Sequence, residues 1–373
     1  MNLLRRSLPF LAAVLTVGAM ALAPVRSSAA PSTERAAAGS PAAQTADLRY
    51  GPIVVPPAMG DHPGEFTAVV PALPMPCVNC FLTGTKVDLV FEDGRSANLD
   101  RGLMLHHVVV FNSGRADATC APDTPVGSLG ERFFAAGNER TSGSLPPGFG
   151  YHLGTDRVAG AIEIMNHADR PQTVYLQTTT TYVPDPAPDM KPVRPVWLDE
   201  GNCGSSQYAV PAGRSDKVWR WTSTLTGRVL FAGGHVHDGG IKIDLANETT
   251  GQHLCTSYAG YGDKPAYMGN IDSMTTCSWD RLGTVRKGEV LSIDTFYDPP
   301  APQSDVMGIV LAYVYETDDL AGGTPPPPGV QAPAPAWPPP GGVPNGDSHG
   351  HDHMHHHELA VSNPAPCIHH RSC

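Results

Sequence analysis

Short β-branched and aromatic runs, each stopped within a few residues by Gly, Pro, Asn or Asp, set the fold of this chain. They fall at residues 86–91, 107–111, 160–165, 173–178, 218–221, 290–294 and 308–315. None of these segments carries an apolar stripe of helical period. Such a pattern describes strands that alternate between a packed and a wet face, joined by tight turns. The expected fold is all-β: two antiparallel β-sandwich, jelly-roll-like domains with disordered termini. The proline-rich stretch 183–195 is the natural seam, giving a first sandwich over 48–190 and a second over 196–319.

The ends read differently. Arg5 and Arg6 precede an apolar run, and small residues follow at 27–30, the layout of a cleaved signal peptide over 1–30. The expected location is secreted, extracellular or periplasmic. Residues 31–47 lack periodicity and read as a disordered linker. Residues 320–373 combine a proline-rich linker with a tail carrying His349, His351, His353, His355, His356 and His357. Asp352 and Met354 are interspersed, and Cys367 and Cys373 flank a further His369-His370 pair. Imidazole, thioether and thiol together suit copper, so the tail reads as metal-binding and as a route to a copper donor or acceptor.

Charge and cysteine content narrow the partners. A net charge of −11 without basic clusters excludes nucleic acid as an expected partner. No stretch after the signal is long and apolar enough to span a bilayer, so no membrane partner is expected. Eight cysteines in an exported chain point to disulfides. Cys77 and Cys80 lack the second Cys-x-x-Cys that a zinc ribbon needs. The pairing expected is Cys255 with Cys277, which bracket one glycine- and tyrosine-rich loop. Asn247 begins a glycosylation acceptor pattern that matters only in a eukaryotic host.

The candidate chemistry lies in histidines. His235 and His237 sit at i and i+2 between glycine pairs, so on extended backbone both rings leave the same face and can close on one ion. His106 and His107 open an apolar strand, where neighbours point to opposite faces; both reach one ion only if the backbone bulges or turns there. His167 ends another strand-like run, with His152 as its rival for a third ligand, while His62 and His253 read as structural or surface residues. Met307 leads into the last strand; core packing is its default, and a His-His-Met site is the alternative. Asp238 is either a partner orienting an imidazole or a turn residue before Gly239.

The order and spacing of these residues across about 80–316 resemble the copper type II, ascorbate-dependent monooxygenases, the family of peptidylglycine α-hydroxylating monooxygenase and dopamine β-hydroxylase. The resemblance implies an electron-transfer copper on His106, His107 and His167. It implies a second copper, binding dioxygen and substrate, on His235, His237 and Met307, these three being the catalytic set. The implied reaction is hydroxylation of an aliphatic C–H bond of a small molecule by dioxygen, with two copper ions per chain and ascorbate or a similar reductant. Gly233, Ile309 and Leu311 stand where the peptide-amidating members hold a carboxylate, and Met165 stands where they have a glutamine. A C-terminal glycine substrate is therefore not expected. A non-catalytic exported copper-sequestration protein on the same scaffold is the alternative reading. A one-metal cupin site on His235 and His237 is weaker, because Lys242 and Asp244 occupy the region of the expected glutamate.

Overall fold

The computed structural model describes residues 39–262 and 264–327. The signal peptide, residues 31–38 of the 31–47 linker and the histidine tail lie outside the described residues. Within them, strands are joined by turns, with three one-turn 3₁₀ segments at Leu99–Arg101, Gly127–Leu129 and Pro265–Tyr267. The all-β expectation holds.

Residues 44–192 build two facing sheets. One runs, in spatial order, Gln44–Val55, Gln172–Pro184, Cys80–Val90, Phe149–His152 and Lys191–Pro192, with Gly143–Ser144 beside Cys80–Val90. The other runs Gly64–Val70, Val158–Asn166, Leu103–Asn112, Glu131–Gly137. Val87, Leu89 and Val174 of the first sheet and Leu105, Val108 and Ile164 of the second are fully buried between them. Each such side chain contributes roughly 1.5–3 kcal/mol on leaving water.

The first strand begins at Gln44, inside the segment read as linker. Thr45, Asp47 and Arg49 carry no hydrophobic alternation, but their backbone pairs with Thr181, Thr179 and Gln177. A sheet partner supplied by distant sequence orders residues that have no local pattern of their own.

The second half packs Arg194–Asp199, Gly308–Glu316, Gly227–Val236 and Thr276–Val285 against a sheet of Ser215–Thr222, Val290–Tyr297, Gly240–Asn247, Gln252–Tyr261 and Ile271–Met274. Its first sheet is buried on both faces. Val196, Val229, Ala232, Val310 and Ala312 face their own sandwich core. Trp197, Phe231, Ile309, Leu311 and Tyr313 join the core of the first half. This explains why 308–315 reads as an unbroken apolar run, as for a strand with no wet face. The described residues, which begin at Gly39, group as one compact unit.

Among the described residues three disulfides are formed. Cys255–Cys277 is as expected; Cys77–Cys80 closes a short turn; Cys120–Cys203 ties the two halves together. The Tyr313 hydroxyl also crosses the seam, donating to the Phe133 carbonyl.

Glu200 is one of the buried acids of the second sandwich. Glu200 is 6% exposed; its Oε1 accepts from the Thr295 hydroxyl at 3.2 Å, and its Oε2 has no hydrogen-bond partner. Burial pushes this carboxyl up to about 8 from its ordinary 4.5. The folded chain therefore keeps Glu200 protonated where the unfolded chain has already ionised. Its effect on stability is an advantage below pH about 4.5 that is lost as pH rises toward about 8. Glu200→Gln should remove this dependence, stabilising the protein by on the order of 2–4 kcal/mol at pH 9 and little at pH 4. Urea unfolding of both proteins at the two pH values measures it; an equal difference at both would contradict it.

Candidate metal centre

The strand Leu103–Asn112 pairs with Val158–Asn166, and the register breaks between Leu105, opposite Ile164, and His107, opposite Glu163. His106 is thus the extra residue of a β-bulge, the condition under which adjacent histidines reach one side. Their ring centroids lie 4.0 Å apart. Glu163 spans both: Oε1 is 3.0 Å from His106 Nδ1 and Oε2 is 3.2 Å from His107 Nδ1. The His106 contact is close but poorly aligned as a hydrogen bond, so His107 is the better anchored ring.

His235 lies near the end of the strand Gly227–Val236, and His237 directly follows it. Behind them the sandwich is tight: a Cβ on Gly234 would come 2.2 Å from Ile243 Cγ2, so only glycine fits. Gly239 adopts φ 88° to turn the chain into the next strand. Gly137 of the first half makes the approach to His235 possible, since a Cβ there would lie 2.7 Å from His235 Cε1. Just beyond it, Glu139 Oε1 sits 3.1 Å from His235 Nδ1. The His237 amide donates to the Tyr297 hydroxyl at 2.8 Å, which donates to the Met307 carbonyl at 2.6 Å.

The two histidine pairs, one from each half, meet at the seam. His107 Nε2 and His237 Nε2 are 3.2 Å apart. His106, His107 and His237 offer ligand atoms that all lie within 4.8 Å of one another. The His235 ring centroid is 5.2 Å from His107 and 5.4 Å from His237, and its Nε2 is buried without a hydrogen-bond partner.

Electrostatics favour a cation here. Burial, reinforced by the charge that His106 would carry, pushes His107 down to about 3, and burial likewise holds His237 well below its ordinary value. Both rings are therefore neutral at physiological pH, the form in which an imidazole can bind a metal. Burial alone would raise Glu163 and Glu139, but the imidazoles beside them outweigh it and hold both carboxyls below the usual range. The centre thus pairs neutral nitrogen donors with anionic carboxylates that orient them, the arrangement that metal-binding histidines use. An unpartnered buried Nε2 and two Nε2 atoms facing each other fit a metal ion; the donor set suits copper.

The remaining sequence-named residues stand elsewhere or at the margin. His167 is four residues past Glu163, about 13 Å further along extended chain; it is exposed, and its amide donates to the Gly102 carbonyl at 2.6 Å. The structure therefore does not bring it beside His106 and His107, and the Glu163 carboxylate occupies that position. Met307 is buried at 8% exposure. The ladder pairs Val236 with Gly308, so one further step sets Met307 across from His237, parted by the Tyr297 hydroxyl. His152 is engaged by Asp185 at 2.7 Å and by the Phe81 ring. Asp238 accepts from the Ile271 amide at 2.8 Å, anchoring the loop bracketed by Cys255–Cys277. Sequence reading missed Glu163, Glu139 and Tyr297; the first had one visible signal, a charged residue inside an otherwise apolar run.

The description "Stress up-regulated Nod 19" matches residues 196–317, the second half alone. A protein of Phoma sp. named probable copper-dependent oxygenase M1 is 29% identical over 288 residues, covering 72% of this chain and 71% of that protein. A protein of Cochliobolus lunatus named probable copper-dependent oxygenase clz3 is 29% identical over 250 residues, covering 61% of this chain and 77% of that one.

Proposed function

We propose that this chain is an exported copper-dependent oxygenase that hydroxylates a small molecule at an apolar C–H bond, with His106, His107, His235 and His237 holding the metal. The observation that carries the reading is the approach of two imidazoles from opposite halves, one of them anchored on a carboxylate, with their Nε2 atoms 3.2 Å apart. The similarity to two proteins named probable copper-dependent oxygenases supports the choice of metal and reaction class. Copper, when bound, supplies the one-electron exchange through which dioxygen is activated, with ascorbate or another one-electron donor as reductant.

The chain's own residues supply orientation and selectivity. Glu163 and Glu139 each take an imidazole Nδ1–H, leaving Nε2 to face the ion. Met307 shares the buried cluster of Ile309 and Leu311 and is the soft donor that the copper monooxygenase resemblance implies. Ile309, paired with His235, and Leu311, paired with Gly233, form an apolar wall on that face. Such a wall offers no cation or hydrogen-bond donor to a carboxylate, so the substrate presents hydrocarbon there.

The test is incorporation of labelled oxygen from dioxygen into a panel of small apolar molecules and glycine-ended peptides, using copper-loaded protein with ascorbate. Label in an apolar product, absent in His235→Ala, is expected. Copper that binds and is reduced without labelled product from any class would favour the sequestration reading instead.

A further inference from the structure

The imidazoles that meet at the seam come from opposite halves. His107 Nδ1 faces the Glu163 carboxylate, an acceptor only, so that nitrogen carries the proton. His107 Nε2 therefore presents a lone pair, and it does so to His237 Nε2 at 3.2 Å. With His106, these rings offer three donor atoms within 4.8 Å of one another, a set that one ion can bridge. At metal–nitrogen distances of about 2.0–2.1 Å, the 3.2 Å separation of the two Nε2 atoms corresponds to a nitrogen–metal–nitrogen angle of about 100°, close to tetrahedral. Two ions, one on each Nε2, would compete for the same gap.

We propose that a single metal ion is shared by His107 and His237 and thereby cross-links the two sandwiches, so that metal binding fastens the seam on which the catalytic face is built. His106 completes the donors within 4.8 Å, and the His235 ring, whose Nε2 is unpartnered, has its centroid 5.2 Å from that of His107. This rests on the oxygenase reading only for the identity of the native metal. It differs from that family resemblance in joining ligands from both halves on one ion. The seam already carries Cys120–Cys203 and the Tyr313 hydroxyl; the ion adds a clamp at the His cluster.

Zinc tests the cross-link without redox chemistry, because it takes the same nitrogen donors and performs no oxygen turnover. The full chain is stripped of metal and melted, followed by far-ultraviolet circular dichroism, with and without zinc. Wild type should melt at higher temperature with zinc, by mass action on the folded state. His107→Ala and His237→Ala should each lose the whole shift, and the double variant should lose nothing further. A tail variant, His355→Ala with His356→Ala and His357→Ala, should keep it. His107→Gln and His237→Gln serve if either alanine variant melts much lower without metal. Half the shift surviving in each single variant, or no shift in wild type at saturating zinc, overturns the shared ion. A full zinc shift with no oxygen incorporation under copper would instead fail the oxygenase reading alone.

Discussion

His237→Ala should lower copper-dependent oxygen turnover by ~100-fold or more, because even the loss of an outer partner of a metal ligand costs about 10–100-fold. The ring it removes faces His107 Nε2 at 3.2 Å and is the second-half member of the group drawn within 4.8 Å. Its amide, which donates to Tyr297, remains in the variant, so the strand end should keep its course. Glu163→Gln is the milder counterpart: the amide can still accept from one imidazole but carries no charge, and metal affinity should fall within that 10–100-fold range. Steady-state oxygen consumption and a competitive metal titration read the two effects separately. Turnover in His237→Ala within threefold of wild type would remove this residue from the centre.

The largest stability effect is expected away from the metal, at Asp117. Its carboxylate is 2% exposed and paired with Arg132, itself 3% exposed, through contacts of 2.8 and 3.0 Å. It also accepts from the amides of Thr119 and Cys120 at 2.9 and 3.0 Å. Burial would raise its carboxyl, but the Arg132 hydrogen bonds and charge prevail and lower it to about 2. The guanidinium then lies over the Trp197 ring at 4.9 Å, so one ion pair carries the seam from a loop of the first half to a strand of the second. Asp117→Ala leaves a buried guanidinium without its counter-charge, and should cost about 3–5 kcal/mol. Denaturant unfolding gives the value, and a loss below about 1 kcal/mol would mean that water replaces the carboxylate. Because the folded carboxyl ionises below its ordinary 3.8, the pair's contribution is present above that pH and lost toward pH 2.

The strands were legible because each carries its own alternation: the runs at 107–111, 173–178 and 290–294 all lie inside observed strands. The strand at Gln44 was not, since its order comes from pairing with residues 172–182. Both histidine pairs were visible from spacing alone. Whether adjacent His106 and His107 share a side depends on a bulge, and the bulge is a property of the partner strand. The orienting carboxylates are separated from their rings by 56 residues for Glu163 and 96 for Glu139, distances over which no local pattern reports contact. His167 looked like a ligand because it closes a strand, yet register rather than position decides reach. Burial of the Gly308–Glu316 sheet on both faces is set by the packed halves, which no local pattern reports.

Oxygen consumption by the full copper-loaded chain with ascorbate, set beside the His107→Ala, His237→Ala double variant with its tail intact, tests the central claim most directly. The account predicts at least a ~100-fold fall in the double variant, since the tail histidines cannot replace imidazoles held at the seam. Equal consumption by the two proteins would place the copper chemistry outside the seam and contradict it.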